Sequence, residues 1–336
     1  MAAAAKKRRA QPAAAVSAAD ARRAQKSNYI PLKLRFQAWW EGIDAETLLK
    51  RQRKAEKGPS SAEIKIDEPI AAAESNKTEF ELLMSIQERV WGKGQIVPGG
   101  EEYAKECLAG VDLRPGSVAL DLSAGLGGSN RAISVALDAM VEGLEMHEGI
   151  AKMGAARAAD LALEKQAPVS HFLAHNFVLR VDRYQCVYGH EVFHKFLDKQ
   201  NMLSEIWKSL KDDGHLVFTD LIYGTAESEE TQEIKTWSKS EPVASNPWTA
   251  EDYKNCLAEL GFEIIAFEDE TSQYRDRVRD GWAEFAETLD DQSIDRRFVD
   301  VMMHEAEIWQ HRMKAMKAGH LRFLRVHARR PKPDIR

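Results

Sequence analysis

The chain predicts an α/β protein built on a doubly wound, largely parallel sheet, and three observations lead there. Val118-Ala119-Leu120 is an unbroken apolar run, as in a strand buried on both faces, and passes through Asp121 into Ser123-Ala124-Gly125-Leu126-Gly127-Gly128. Five strand patterns alternate with helical stretches between residues 118 and 219. Two further strand patterns, 262–267 and 321–327, then bracket a long segment with helical spacing. Such alternation gathers a ligand site at the carboxyl ends of the strands.

Residues 1–28 carry Lys6, Lys7, Arg8, Arg9, Arg22, Arg23 and Lys26 against one acid, Asp20, in an alanine-rich setting. So little bulky apolar surface cannot offset the entropy of ordering, so a disordered basic tail is expected. Residues 29–77 read as a helical extension and linker: Leu32, Leu34, Phe36, Trp39 and Trp40 crowd together, Asp44 can cap a second helix, and Gly58-Pro59-Ser60-Ser61 breaks the chain.

From residue 78 to 336 one catalytic domain is expected. A helix starts near Thr78, with Phe80, Leu82, Leu83, Ile86 and Val90 at helical spacing. The stretch 91–100 is too glycine-rich for a regular element, and a helix over 101–108 leads into the opening strand. After the glycine turn come a helix over 130–137, a strand over 140–146, a helix over 150–163 and a strand over 169–173. The fourth strand, 184–188, opens onto Gly189-His190-Glu191-Val192-Phe193-His194-Lys195. A helix over 199–210, a turn over 211–214 and a strand over 215–219 complete the alternation. The segments 223–261 and 270–318 are expected to be helical and to face the substrate, the second carrying Trp282, Phe285, Leu289, Val299, Met302, Ile308 and Met313.

Composition narrows the classes. The 336 residues are 44% apolar and 30% charged with a net charge of -6, which describes a soluble globular protein without general affinity for nucleic acid. No apolar run approaches the ~18 residues of a membrane span. Cys107, Cys186 and Cys256 are odd in number and far apart, which argues against a disulfide framework or a cysteine–zinc site and fits a reducing cytoplasm.

Glycines after a strand let the backbone pass close to a ligand at the next helix N-terminus. A dinucleotide site would read G-x-G-x-x-G, whereas here Asp121-x-Ser123-x-Gly125-x-Gly127 stands. This resembles motif I of class I S-adenosylmethionine-dependent methyltransferases, D-x-G-x-G-x-G, with Ser123 at the first glycine. Glu145 ends the second strand, where an acid can accept hydrogen bonds from two ribose hydroxyls. Across roughly 80–330 the chain is similar to the phosphoethanolamine N-methyltransferase type of small-molecule enzyme. Trp91 to Gly100 stands for its F-G-E-G-x-x-S-T-G-G, and Tyr188-Gly189-His190-Glu191-Val192-Phe193-His194-Lys195 opens its Y-S-R-D-x-x-L-H-x-x-D-K.

The resemblance implies a Rossmann-like class I methyltransferase sheet of seven strands, the last antiparallel, and S-adenosyl-L-methionine as cofactor. It implies cofactor contacts at Ile96, Val97, Asp121, Ser123, Ala124, Gly125, Gly127, Glu145, Met146, Asn176, Phe177 and His190, with Asn176 and the Phe177 backbone at the adenine edge. His190, Glu191, His194 and Lys195 are the candidates for orienting the acceptor and taking its proton, a role histidine suits near neutral pH. Departures exist: His190 stands at the family's cofactor-binding arginine, Glu191 at its aspartate and Lys195 at its catalytic histidine. The stretch 224–262 has no arginine, although arginine's planar fork suits phosphate better than a lysine does. Trp237, Trp248, Tyr253 and Trp282 are candidates for an aromatic wall around an ammonium.

His190-Glu191-Val192-Phe193-His194 also matches H-E-x-x-H, which on a helix would place two zinc ligands on one face with a general base between. Gly189 before it suggests a loop, no third ligand motif follows, and no metal site is expected. The function expected is therefore methyl transfer to a small molecule, an amine through the resemblance; the alternatives are a lipid or other O-, S- or C-methyltransferase and a zinc hydrolase. The expected partners are the acceptor and a second copy in a homodimer, with the basic tail a candidate for weak membrane contact.

Overall fold

A computed structural model describes residues 30–55, 77–289 and 295–333. The basic tail of residues 1–28 and the linker over 56–76 lie outside the described residues. Among those described, no helix is long and apolar enough to cross a membrane.

Seven strands make one sheet in the order β3-β2-β1-β4-β5-β7-β6. They are β1 (Val118–Asp121), β2 (Met140–Glu145), β3 (Val169–His171), β4 (Tyr184–His190), β5 (Leu210–Tyr223), β6 (Glu263–Asp269) and β7 (Leu321–Arg329). β1 to β5 pair in parallel, and β7 runs antiparallel between β5 and β6. The order turns back between β1 and β4, the switch point where open α/β sheets leave a crevice. β1 is buried from Ala119 on because helices cover both faces, as its uninterrupted apolar run requires.

Before the sheet come α1 (Leu32–Glu41), α2 (Ala45–Ala55), α3 (Glu79–Trp91) and α4 (Gly100–Leu108). Thr78 starts α3 with a capping box: its hydroxyl accepts from Glu81 N at 3.2 Å and its own N–H donates to the Glu81 carboxylate at 2.8 Å. Within the sheet region lie α5 (Gly128–Leu137), α6 (Glu148–Asp160), α7 (Lys199–Ser209), α8 (Gln232–Ser240) and α9 (Ala250–Glu259); α10 (Thr271–Glu287) and α11 (Arg296–Lys317) separate β6 from β7. Leu120, Val187, Met202, Ile206, Leu216 and Phe218 meet in the core under the sheet.

Two strands depart from the sequence pattern. β4 extends to His190, because its last residues pair with Gly189↔Phe218 and His190↔Thr219. β5 begins at Leu210 and takes 211–214 as a bulge between Leu210 and His215, with Asp213 at φ 59°.

The chain forms two compact units. One holds 78–281 and 301–336 and carries the sheet. The other combines the described residues up to Lys77 with 282–300, so the expected single domain from 78 onward loses an internal stretch to the N-terminal extension. Within that unit Leu34, Ala38 and Leu48 form a small core, and Trp282 stacks on Phe36 and Trp40 at 5.5 and 5.4 Å between ring centroids. Trp282 is therefore a packing residue of this unit.

Candidate active site

The glycine turn sits at the switch between β1 and β4. Gly125 at φ 53° and Gly127 at φ 76° occupy the left-handed region that side chains disfavour, which explains both glycines. Gly125 N–H donates to Glu145 Oε2 at 3.0 Å, so the acid ending β2 holds the turn itself; its Oε1 accepts from His147 N at 2.7 Å. Asp121 accepts from both the backbone N–H and the hydroxyl of Ser123 at 2.7 Å. The same hydroxyl accepts from His190 N at 2.7 Å. A glycine at 123 could not join the two strand ends in this way. Burial pushes the Asp121 carboxyl up to about 6, although the Ser123 hydrogen bonds pull it down.

Residues 92–99 cover this turn. Gly128 N–H donates to Gly94 O at 3.2 Å, Ser129 Oγ donates to Gln95 Oε1 at 3.2 Å, and His190 Nε2 donates to Pro98 O at 3.0 Å. Under this cover lies a cavity of about 20 Å³, lined by Ile96, Val97, Asp121, Ser123, Ala124, Gly125 and His190 from the sequence-derived set. Gln95, Tyr103, Ser129 and Tyr188 join that lining without having been singled out in the sequence. Gly127 shapes the turn beneath it. Glu145, Met146, Asn176 and Phe177 stand outside the lining: Asn176 is exposed, while Phe177 packs against Phe172 and Phe196.

His190 is fully engaged. A carbonyl only accepts, so Nε2 carries the proton toward Pro98 O, and Nδ1 accepts from the Thr219 hydroxyl at 2.6 Å. Burial lowers its pKa from the ordinary histidine value, which keeps the ring neutral. The ring ends a strand and the second histidine of the motif, His194, lies on the short turn Phe193–Lys195. The two do not share the helix face that H-E-x-x-H zinc binding uses. No group of three or more potential ligands is gathered for a metal among the described residues.

Glu191 adopts φ 51°, unusual for a residue with a Cβ, and is pinned there by its N–H to Thr219 O at 2.9 Å. Its Oε2 accepts from Tyr274 Oη and from Arg312 Nη1, each at 2.9 Å. Arg312 Nη2 also forks onto Glu241 at 2.7 and 2.9 Å, and its guanidinium stacks on Trp309 at 4.3 Å. Arg312 thus forms ion pairs with two buried acids at once. The remaining Glu191 oxygen, Oε1, lies 3.5 Å from His190 Nε2 and accepts no hydrogen bond among the described residues.

His194 is 1% exposed. Asp220 Oδ1 accepts from its backbone N–H at 2.9 Å and from Nδ1 at 2.7 Å, and Asp220 Oδ2 accepts from Tyr253 Oη at 2.7 Å. Its Nε2 has no hydrogen-bond partner among the described residues. Lys195 is half-buried, and its charge adds to that of Arg312 in lowering the Glu241 carboxyl against the effect of burial. Sequence reasoning missed Asp220, Glu241, Tyr274 and Arg312, and it placed Tyr253 in an aromatic wall rather than on Asp220. A signal existed for two of them: Asp220 is a lone acid inside the apolar run of β5, and Arg312 falls on the apolar stripe of Ile308 and Met316. Of the proposed aromatic wall, Trp237 and Tyr253 are fully buried and Trp248 lies beneath the Lys199 ammonium at 5.6 Å.

Residues 105–266 match a family model described as a methyltransferase domain. Phosphoethanolamine N-methyltransferase 3 of Arabidopsis thaliana is 25% identical over 187 residues, 56% of this chain and 37% of that protein. The chain thus spans less than half the length of such curated relatives. Among solved structures, phosphoethanolamine N-methyltransferase 2 of Haemonchus contortus, in complex with S-adenosyl-L-methionine, superposes with a TM-score of 0.64 at 16% identity, covering 77% of this chain and 59% of that one. A putative sarcosine dimethylglycine methyltransferase from Galdieria sulphuraria gives 0.59 at 18% identity, covering 74% and 98%. Residues 105–266 thus resemble a methyltransferase domain, and the sheet has the fold of the class I methyltransferases. The chain's relatives include enzymes of the phosphoethanolamine N-methyltransferase type.

Proposed function

We propose that this chain transfers the methyl group of S-adenosyl-L-methionine to a small-molecule amine. The observation that carries it is the glycine turn at the β1–β4 switch, held by Glu145 and roofed by residues 92–99. The residues suit that cofactor: two glycines leave the backbone open to a ligand, Asp121 brings a carboxylate to the cavity lining, and buried Gln95 Nε2 is a donor with no partner among the described residues. Ile96, Val97 and Ser129 would flank it. When bound, the cofactor supplies a methyl group on a positive sulfur, which leaves as a neutral thioether.

The chain's own residues then align the acceptor and remove its proton. His190 has both ring nitrogens committed and serves as a strut. His194 keeps a free lone pair at Nε2, and Glu191 keeps a free oxygen; both follow the carboxyl end of β4, where such a sheet receives its ligands. Arg312 is bound to Glu191 and Glu241 and the stretch 224–262 has no arginine, so unphosphorylated amines belong among the substrates tested.

The test is transfer of label from methyl-labelled S-adenosylmethionine to ethanolamine, phosphoethanolamine and sarcosine, with calorimetry of cofactor binding alongside. Label in an amine, together with loss of cofactor binding in Gly125→Asp, is the expected result. Absence of cofactor binding by the wild-type chain would overturn it.

A further inference from the structure

The geometry points to Asp220 as the positioning residue that makes His194 a general base, an inference that rests on the methyl-transfer function proposed above. One carboxylate oxygen receives both the backbone N–H and Nδ1–H of His194, at 2.9 and 2.7 Å. A carboxylate only accepts, so Nδ1 carries the ring proton and Nε2 is left with its lone pair. The other oxygen receives the Tyr253 hydroxyl at 2.7 Å, which fixes the carboxylate plane. All three side chains are at most 1% exposed. A fully buried acid spent on a histidine whose far nitrogen is unpartnered has no evident packing purpose, since a leucine would fill β5 at less cost in desolvation.

Asp220 also joins the base to the segment over it. Tyr253 lies on α9, Asn246 N–H donates to His194 O at 2.6 Å, and the Lys199 ammonium donates to Phe196 O at 2.8 Å and to Asn246 O. The loop before α9 is thus tied to the turn that carries His194. During transfer the acceptor's lone pair forms the new bond to the methyl carbon, the carbon–sulfur pair stays on sulfur, and the acceptor's proton passes to His194 Nε2. Asp220 stabilises the imidazolium so formed and takes no proton itself. Among the described residues Glu241 faces His194, with Lys195 beside Glu241, and Lys199 and Tyr253 face Asp220.

Asp220→Asn tests this on the full chain, with the amine that takes label from wild-type as the probe. Removing the carboxylate charge should cut kcat by roughly 100-fold, leave calorimetric S-adenosylmethionine affinity unchanged, and move the acidic limb of the kcat–pH profile to lower pH. His194→Ala/Asp220→Asn should be no slower than His194→Ala alone. An unmoved acidic limb, or a double variant slower by the product of the two single effects, overturns the inference. Tyr253→Phe, a milder change, should give a smaller loss in the same direction. Nitrogen NMR of the histidines needs no acceptor: neutral His194 should carry its proton on Nδ1 in the wild-type protein, and a proton on Nε2 instead overturns the assignment. Wild-type protein that binds no cofactor overturns the methyl-transfer proposal, while the NMR result still judges the role of Asp220.

Discussion

Burial lifts the Asp121 carboxyl from its usual value of 3.8 to about 6, and this makes a stability statement. A group whose pKa is raised in the folded state favours folding fully below its unfolded value and loses that contribution as pH rises through the folded one. Asp121→Asn keeps an oxygen for both Ser123 bonds and removes the charge. It should therefore unfold at higher denaturant concentration than wild-type above about pH 6, by at most about 3 kcal/mol, and match it below about pH 4. Equal stability at neutral pH would refute the burial penalty. At this scale the sequence was informative about identity and less so about partners. Asp121, Ser123 and Gly125 were legible because the turn is local. The occupation of His190 by Pro98 and Thr219 was not, since those partners come from 92 and 29 residues away. A separation of 121 residues likewise hid Arg312 behind Glu191.

Among elements, the most consequential is the cover over 92–99. Gly92 at φ 103° and Gly99 at φ 106° bound it, and Gly94 at φ 79° lies against Gly128, where a Cβ would sit 2.9 Å from the Gly128 Cα. Gly94→Ala should thus both strain the backbone and lift the cover from the turn. The expected outcome is a roughly tenfold loss of S-adenosylmethionine affinity, equivalent to about 1.4 kcal/mol, with far-UV dichroism unchanged. Undiminished affinity would mean that the cover plays no part in holding the ligand. Regular elements were well marked in the sequence: Thr78 with Glu81 announces α3, and the apolar run announces β1. The bulge at 211–214 was harder, because its Lys-Asp-Asp-Gly composition is that of a free turn, and only pairing with β4 and β7 carries the strand through it.

For the whole molecule, the parallel, doubly wound character of the sheet followed from strand and helix alternation, and its antiparallel last strand from the resemblance; the strand order itself comes from the structure. The assignment of 282–300 to a unit with the N-terminal helices did not follow, because a helical stripe states which residues are buried and not against what. Trp282 met the expectation of burial and found Phe36 and Trp40. A cavity of about 20 Å³ has room for little more than a water molecule, so the roof must lift to admit a nucleoside. The bond from Pro98 O to His190 ties that roof to the residue beside Glu191, so the movement that admits the methyl donor also shifts the end of β4, where the proposed acceptor would sit. Binding should then be sequential: donor first, acceptor second, methylated acceptor out, and spent donor last. Product-inhibition kinetics would read this order, with S-adenosylhomocysteine competitive against the donor and noncompetitive against the acceptor; competition with both would instead describe two doors that open independently.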